Sequence, residues 1–249
     1  MCTLAIYFRH LAGLPLVVAA NRDEFLARPA AAPALLAATP RVVGGCDLRA
    51  GGTWLAISEH GVVAGLLNRR ATAPDPRKRS RGALPLAVLA APSAAAARAR
   101  LAVLEPDAYN SFNLLVADAA EAWVAQNRPG RLDLTHLEPG LHVLTNLDVN
   151  DPRCPRIARS HRAFAHAGAE FAAAPDRARL RAALGAVLAD HTTALDPRRP
   201  DPLGALCVHA GAYGTRSSSL LLRTAAGAWE HWFADGPPCT AAYRPAPVP

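Results

Sequence analysis

Lysine and methionine are almost absent: Lys78 and Met1 stand alone among 249 residues, and aromatic side chains make up only 6% of the chain. The net charge of +7 is therefore carried by arginine, and the core must be assembled from Leu, Val and Ala rather than large rings. An apolar fraction of 51% is that of a globular chain, so disorder along its length is not expected. Long apolar runs are missing too. The nearest, GALPLAVLAAPSAAAA, is cut by two prolines and a serine, short of the about 18 residues a membrane span needs. LAIYF and LPLVVAA are brief and separated by Arg9, His10 and Gly13, which does not fit a signal peptide. The five cysteines, Cys2, Cys46, Cys154, Cys207 and Cys239, are odd in number and contain no C-x-x-C pair, which disfavours a disulfide scaffold or zinc ribbon. These absences predict a cytoplasmic protein with reduced thiols and no membrane span.

Other chemistries lack their signatures. No phosphate loop or dinucleotide fingerprint is present, so nucleotide-dependent chemistry is not expected. There is no H-E-x-x-H, and His161 and His166 are five apart, a poor helical chelate, so no metal is expected. Cys207 and His209 share one face of a predicted strand, where packing is favoured over ligation. The one dense basic run, RRATAPDPRKRSRG at residues 69–82, reads as a solvated loop, with steering of an anionic substrate the first alternative and nucleic-acid contact a weaker one. A small-molecule substrate is the expected partner, and oligomeric state is left open.

What is present is a succession of short apolar runs punctuated by turns: TLAIYF, HLAGLP, LVVAAN, TWLAIS and VVAGLLN, then FNLLVAD, EAWVAQ, RLDLTHL and LHVLTN, and finally LCVHA, SSSLLLRT and GAWEHWF. Residues 27–52, rich in Ala, Pro and Gly, read as a loop. Helices are predicted over 83–104, broken at Pro92-Ser93 with Ser93 as N-cap, and over 154–170 and 175–190. With no low-complexity linker, one domain over 1–249 with a Pro-rich tail from about 236 is expected. Sheets with apolar outer faces need helices over them, so an α+β layered fold of two stacked antiparallel sheets covered by helices follows.

Four stretches place polar side chains at strand ends: NRDE (21–24), LLNRR (66–70), VLTN (143–146) and YGTRSSS (213–219). Cys2 gives them weight. If Met1 is removed, one residue carries a thiol and an α-amine whose ordinary pKa, about 7.7 to 8.0, suits it as base toward that thiol.

The set MCTLAIY, VVAANRDEF, GGCDLRAGGTWLAIS, EHGVVAGLLNRR, HVLTN and YGTRSSSLLL resembles the NRDE family, also called the transport-and-Golgi-organisation family, from Met1 to about Trp232. That family is distantly similar to N-terminal-nucleophile hydrolases of the bile-salt-hydrolase and penicillin-acylase type, which implies a four-layer αββα fold. Carried onto this sequence, the resemblance makes Cys2 the nucleophile, Asp23 the acidic partner holding the amine, Asn68 the oxyanion asparagine, Asn146 a second asparagine of the pattern, and Arg216 an arginine near the nucleophile. Asn21, Arg22 and Glu24 complete the NRDE motif, and Asp47, Gly51, Gly52, Thr53 and Trp54 match its glycine-rich segment, with Trp54 expected to pack in the core. One departure stands out: the arginine that such hydrolases carry before their first-motif asparagine is Ala20 here, and an arginine follows at Arg22, which strand alternation turns to the other sheet face. Glu24 is expected to pair with Arg22 or Arg28. The implied activity is hydrolysis of a linear, non-peptide amide such as an N-acyl compound, without a cofactor. The rival is a non-catalytic haem- or lipid-handling trafficking protein on the same fold, in which haem would be the ligand.

Overall fold

The computed structural model describes residues 2–69, 74–193 and 201–249, so Met1 and residues 70–73, near the start of the predicted 69–82 loop, lie outside the described residues. Fourteen strands and four α-helices occur among them. In chain order the first six strands are β1 (Thr3–Leu11), β2 (Leu14–Phe25), β3 (Ala30–Ala38), β4 (Arg41–Asp47), β5 (Leu55–Ser58) and β6 (Val63–Asn68). Helices α1 (Ala83–Leu89) and α2 (Ala94–Ala102) follow, then β7 (Phe112–Ala117), β8 (Ala122–Arg128), β9 (Arg131–His136) and β10 (Gly140–Leu144). The chain continues with α3 (Pro155–Ala173) and α4 (Arg177–Leu188), then β11 (His209–Ala210), β12 (Tyr213–Arg223), β13 (Trp229–Ala234) and β14 (Arg244–Pro245).

Two compact units result, each with its own sheet. The first draws on the chain up to Arg28, on Pro139–Thr145 and on Val149–Ala246. Its antiparallel sheet runs β10-β1-β2-β12-β13-β14, with β11 paired to β12. Chain ends far apart in sequence thus become neighbours: β2 lies against β12 with Asp23 opposite Thr215 and Asn21 opposite Ser218. One face of this sheet, with Ala5, Tyr7, Val17, Ala19, Val143, Leu220 and Leu222, packs on Phe164 and Phe171 of α3 and Leu180, Leu184 and Leu188 of α4. The alternate residues Leu4, Ile6, Phe8, Leu16 and Val18 are equally buried, which is why β1 and β2 read as near-continuous apolar runs rather than alternating ones. Tyr7 fits beneath α3 because its hydroxyl donates to the Phe164 carbonyl and Gly168 leaves room for the ring: a Cβ there would come within 2.9 Å of it.

The second unit is a meander, β3 through β9 in sequence order, with α1 and α2 against it through Leu84, Val88, Leu89, Ala97 and Leu101. Ser93 caps α2 as expected, its hydroxyl accepting from the Ala96 N–H at 3.2 Å. The loop expected over residues 27–52 is instead mostly strand, β3 and β4. β3 lies at the sheet edge, and Pro33 sits where its register with β4 slips, between Ala31 and Ala34. A missing N–H is tolerated at such an edge, so proline and alanine there did not preclude a strand. The turn proper is Asp47–Gly52: Asp47 accepts from the N–H groups of Arg49 and Ala50, and Gly52, at φ +81°, passes so close to Gly82 that a Cβ would lie 2.1 Å from its carbonyl oxygen. In the arginine loop, Arg77, exposed, pairs with its near neighbour Asp75 at 2.9 Å, and Arg81 donates to the Ser111 carbonyl.

Leu184, fully buried between α4 and its sheet, tests this core. Leu184→Ala is expected to cost about 2–5 kcal/mol in urea unfolding with the far-ultraviolet spectrum of the native state unchanged.

Candidate active site

The end of β2 carries three polar residues, Asn21, Arg22 and Asp23, all buried, an arrangement that requires each to be partnered. Strand alternation divides them. Asn21 and Asp23 continue the helix-facing row of Val17 and Ala19, and their contacts confirm it. The Asn21 amide donates to the carbonyls of Leu188, at the end of α4, and Leu206, both at 2.9 Å. Asp23 Oδ2 accepts from Arg156 Nη2 in the first turn of α3 at 3.0 Å, and Oδ1 accepts from the Thr215 hydroxyl at 2.7 Å. The Asp23 side chain has no exposed surface and that of Arg156 is 4% exposed, so the charges are shielded from water and repaid by each other and by further hydrogen bonds. Those bonds run on from Arg156 to the carbonyls of Leu203 and Leu206, and from the Val208 N–H to the Thr215 hydroxyl at 2.9 Å.

Cys2 hangs on the backbone of the same residue. Its sulfur lies 3.4 Å from the Asp23 N–H, which donates to it, and 3.6 Å from the Asp23 carbonyl, to which the thiol donates. The Tyr213 hydroxyl donates to that carbonyl as well, at 3.1 Å. Burial raises the Cys2 thiol above its ordinary range and the Asp23 charge raises it further, while the backbone contact and the Arg22 guanidinium pull the other way. Arg22 thus acts on the thiol, and the ladder explains how. It faces away from Asn21 and Asp23, but the expectation that it turns to the other face from position 20 is not met: positions i and i+2 share a face, so this is the face of Ala20, and with Thr3 opposite Asn21 it is also the face of Cys2. The arginine two places later therefore stays on the thiol's side of the sheet.

The other sequence candidates are placed as follows. Arg216 occupies the bulge of β12 between Thr215 and Ser217 and bonds Asp235 at 3.3 Å. Glu24 pairs with Arg28 at 3.8 Å, one of the two partners expected. In the second unit Asn68 ends β6, exposed, and Asn146 is half-buried just after β10. Their segments are stitched together there: Arg69 pairs with Asp148, Arg128 joins the same carboxylate at 2.8 Å, and Asn113 donates to the Leu147 carbonyl at 2.6 Å. Asp47, Gly51 and Gly52 form the turn described above, the Thr53 N–H donates to the Gly82 carbonyl, and the Trp54 ring lies against Gly45, where a Cβ would come within 2.5 Å of it.

Sequence reasoning missed Arg156, Thr215 and Tyr213. The latter two lie inside YGTRSSS, a stretch whose arginine is its most conspicuous residue; Arg156, one of many arginines on amphipathic helices, carried no signal.

The profile of the family described as Transport and Golgi organisation 2 matches residues 1–232. The chain belongs to that family. It is 29% identical to the human transport and Golgi organization protein 2 homolog over 231 residues, covering 85% of this chain and 83% of that one, and 27% identical to the mouse homolog over 230 residues, with the same shares covered. Among solved structures it is similar to a mutant conjugated bile acid hydrolase from Clostridium perfringens, at a TM-score of 0.57 and 10% identity over 100% of this chain and 97% of that one. It is also similar to penicillin V acylase from Agrobacterium tumefaciens, at 0.55 and 13% over 96% and 93%. An N-acylethanolamine-hydrolyzing acid amidase ortholog from Caenorhabditis elegans gives 0.56 and 13% over 89% and 92%. The fold is accordingly the α+β fold of the N-terminal-nucleophile hydrolases, as the family resemblance implied. Among the described residues no helix is long and apolar enough to cross a membrane.

Since the thiolate is the reactive form and the Cys2 thiol titrates above the usual value of about 8.5, alkylation of Cys2 by iodoacetamide in protein retaining Met1 should keep rising, close to tenfold per pH unit, from pH 7 through pH 8.5. Peptide mapping reads this rate, and a plateau below pH 8 would contradict the enclosure of the sulfur.

Proposed function

We propose that this chain is an N-terminal-cysteine amidohydrolase acting on a linear, non-peptide amide of the N-acyl class. The observation that carries this reading is the fixing of Cys2 against the backbone of Asp23, whose carboxylate is itself immobilised by Arg156 and Thr215. A terminal residue would ordinarily fray; here its sulfur is held by the N–H and carbonyl of Asp23. The fold shared with a bile acid hydrolase, a penicillin acylase and an acylethanolamine amidase adds support, although fold alone does not transfer activity.

In this reading, removal of Met1 exposes the Cys2 amine. The amine takes the thiol proton as sulfur attacks the amide carbonyl carbon; a C–S bond forms and the carbonyl electrons move to oxygen. As the tetrahedral adduct collapses, the C–N bond breaks and the proton passes to the leaving amine. Water then cleaves the thioester, releasing the carboxylic acid and regenerating the thiol. A buried thiol is a poor nucleophile while protonated, so the adjacent base and Arg22 are the groups that make attack feasible near neutral pH. The family resemblance assigns the oxyanion role to Asn68, together with the amide of a neighbouring residue, and makes Asn146 a second asparagine of the pattern. Losing such a donor costs about 10²–10³ in kcat.

Intact-mass measurement on protein purified from its host is expected to show loss of Met1. Against a panel of N-acyl amines and N-acyl amino acids, Cys2→Ala should abolish turnover and Asn68→Ala should lower kcat by about 10²–10³. Retention of Met1, or turnover unchanged in Cys2→Ala, would exclude this chemistry. Stoichiometric hemin binding lost on substitution of a single His or Cys, with no turnover of any amide, would instead favour the haem-handling alternative.

A further inference from the structure

We infer that His191, Cys207, His209 and Cys239 form a closed four-ligand site for one Zn2+-type divalent cation, remote in role from the Cys2 chemistry. One ligand atom from each of the four lies within 4.8 Å of all the others. Three spacings are individually resolved: Cys207 Sγ to Cys239 Sγ 3.6 Å, Cys207 Sγ to His209 Nε2 3.8 Å, and His209 Nε2 to Cys239 Sγ 3.3 Å. A tetrahedral ion with Zn–S of about 2.3 Å and Zn–N of about 2.0–2.1 Å sets S···S edges near ~3.7 Å and S···N edges near ~3.6 Å. The three observed edges fall within a few tenths of an ångström of those values.

The donor chemistry agrees. His191 Nδ1 lies 3.1 Å from the Cys207 carbonyl, so an N–H there donates to it and leaves Nε2 unprotonated for a metal, the arrangement by which metal-bound imidazoles are usually oriented. The His191 and His209 rings stand 5.0 Å apart. A disulfide would account for the two sulfurs but for neither imidazole, and all five cysteines are free thiols. Two thiolates so close repel each other, and a divalent cation reverses that penalty: M2+ plus two thiols gives the dithiolate complex and two protons.

Four protein ligands leave no open coordination position, so the role is structural rather than catalytic. What the ion would fasten is specific. Cys207 and His209 alternate with Leu206, whose carbonyl receives Asn21 and Arg156, and with Val208, whose N–H holds the Thr215 hydroxyl that donates to Asp23. Ligation would lock this segment to the stretch after α4 through His191 and to the chain after β13 through Cys239. No sequence motif announces the site, because its ligands arrive from three separate stretches. Only Cys207 and His209 are close in sequence, and packing is the simpler reading of that pair alone.

Cobalt substitution tests it. Full-length protein, reduced and stripped with a chelator, is titrated with Co2+ alone and then with Zn2+. One equivalent of Co2+ should bind with the intense visible bands of tetrahedral coordination and thiolate-to-cobalt charge transfer, and Zn2+ should displace it. Cys239→Ala and His191→Gln alter exposed residues and should each weaken Co2+ binding by more than about tenfold, whereas Cys2→Ala should leave the spectrum unchanged, separating this site from the proposed hydrolase. No tetrahedral spectrum in the reduced protein, a spectrum insensitive to Cys239→Ala, or isolation of a Cys207–Cys239 disulfide with no metal uptake after reduction would overturn the assignment.

Discussion

Asp23 and Arg156 hold opposite charges 3.0 Å apart with almost no access to water, and the position of Cys2 follows from that pair. Neither charge is tolerable alone at that depth, so the first turn of α3, the end of β2 and the start of β12 must come together for either to be buried. Once they do, the Asp23 backbone presents an N–H and a carbonyl at fixed positions. The Cys2 sulfur takes both, and Tyr213 occupies the carbonyl's second lone pair. A side-chain ion pair on one face of a strand thereby fixes a thiol on the other.

The same division of faces settles the displaced arginine. Shifting an arginine by two residues along a strand changes its depth but not its face, so Arg22 still acts on the Cys2 thiol, where a shift of one would have sent it toward the helices.

Much of the architecture was legible because this chain buries strands thoroughly. TLAIYF, LVVAAN and SSSLLLRT are continuous apolar or small-residue runs since both sides of β1, β2 and β12 are covered, and Ser93 announced α2 through ordinary capping chemistry. Residues 30–47 were misread because alanine, proline and glycine speak locally for turns, whereas an edge strand needs only one good ladder, which β4 supplies. In the site, Cys2 and Asp23 were singled out in the sequence by their residue types, and the structure brings the Cys2 sulfur against the Asp23 backbone. Arg156 was not singled out: 133 residues separate it from Asp23, and nothing in an arginine-rich helix marks the one that turns inward. Thr215 is hidden differently, since its value lies in standing opposite Asp23 across the β2–β12 ladder, a register no local pattern encodes.

The most direct measurement is a double-mutant cycle on Asp23→Asn and Arg156→Met, read by urea unfolding with the alkylation rate of Cys2 followed in parallel. A coupling of at least about 2 kcal/mol, with Cys2 released to faster alkylation in either single variant, is the result this account predicts. Additive effects within about 0.5 kcal/mol and an unaltered Cys2 rate would contradict it.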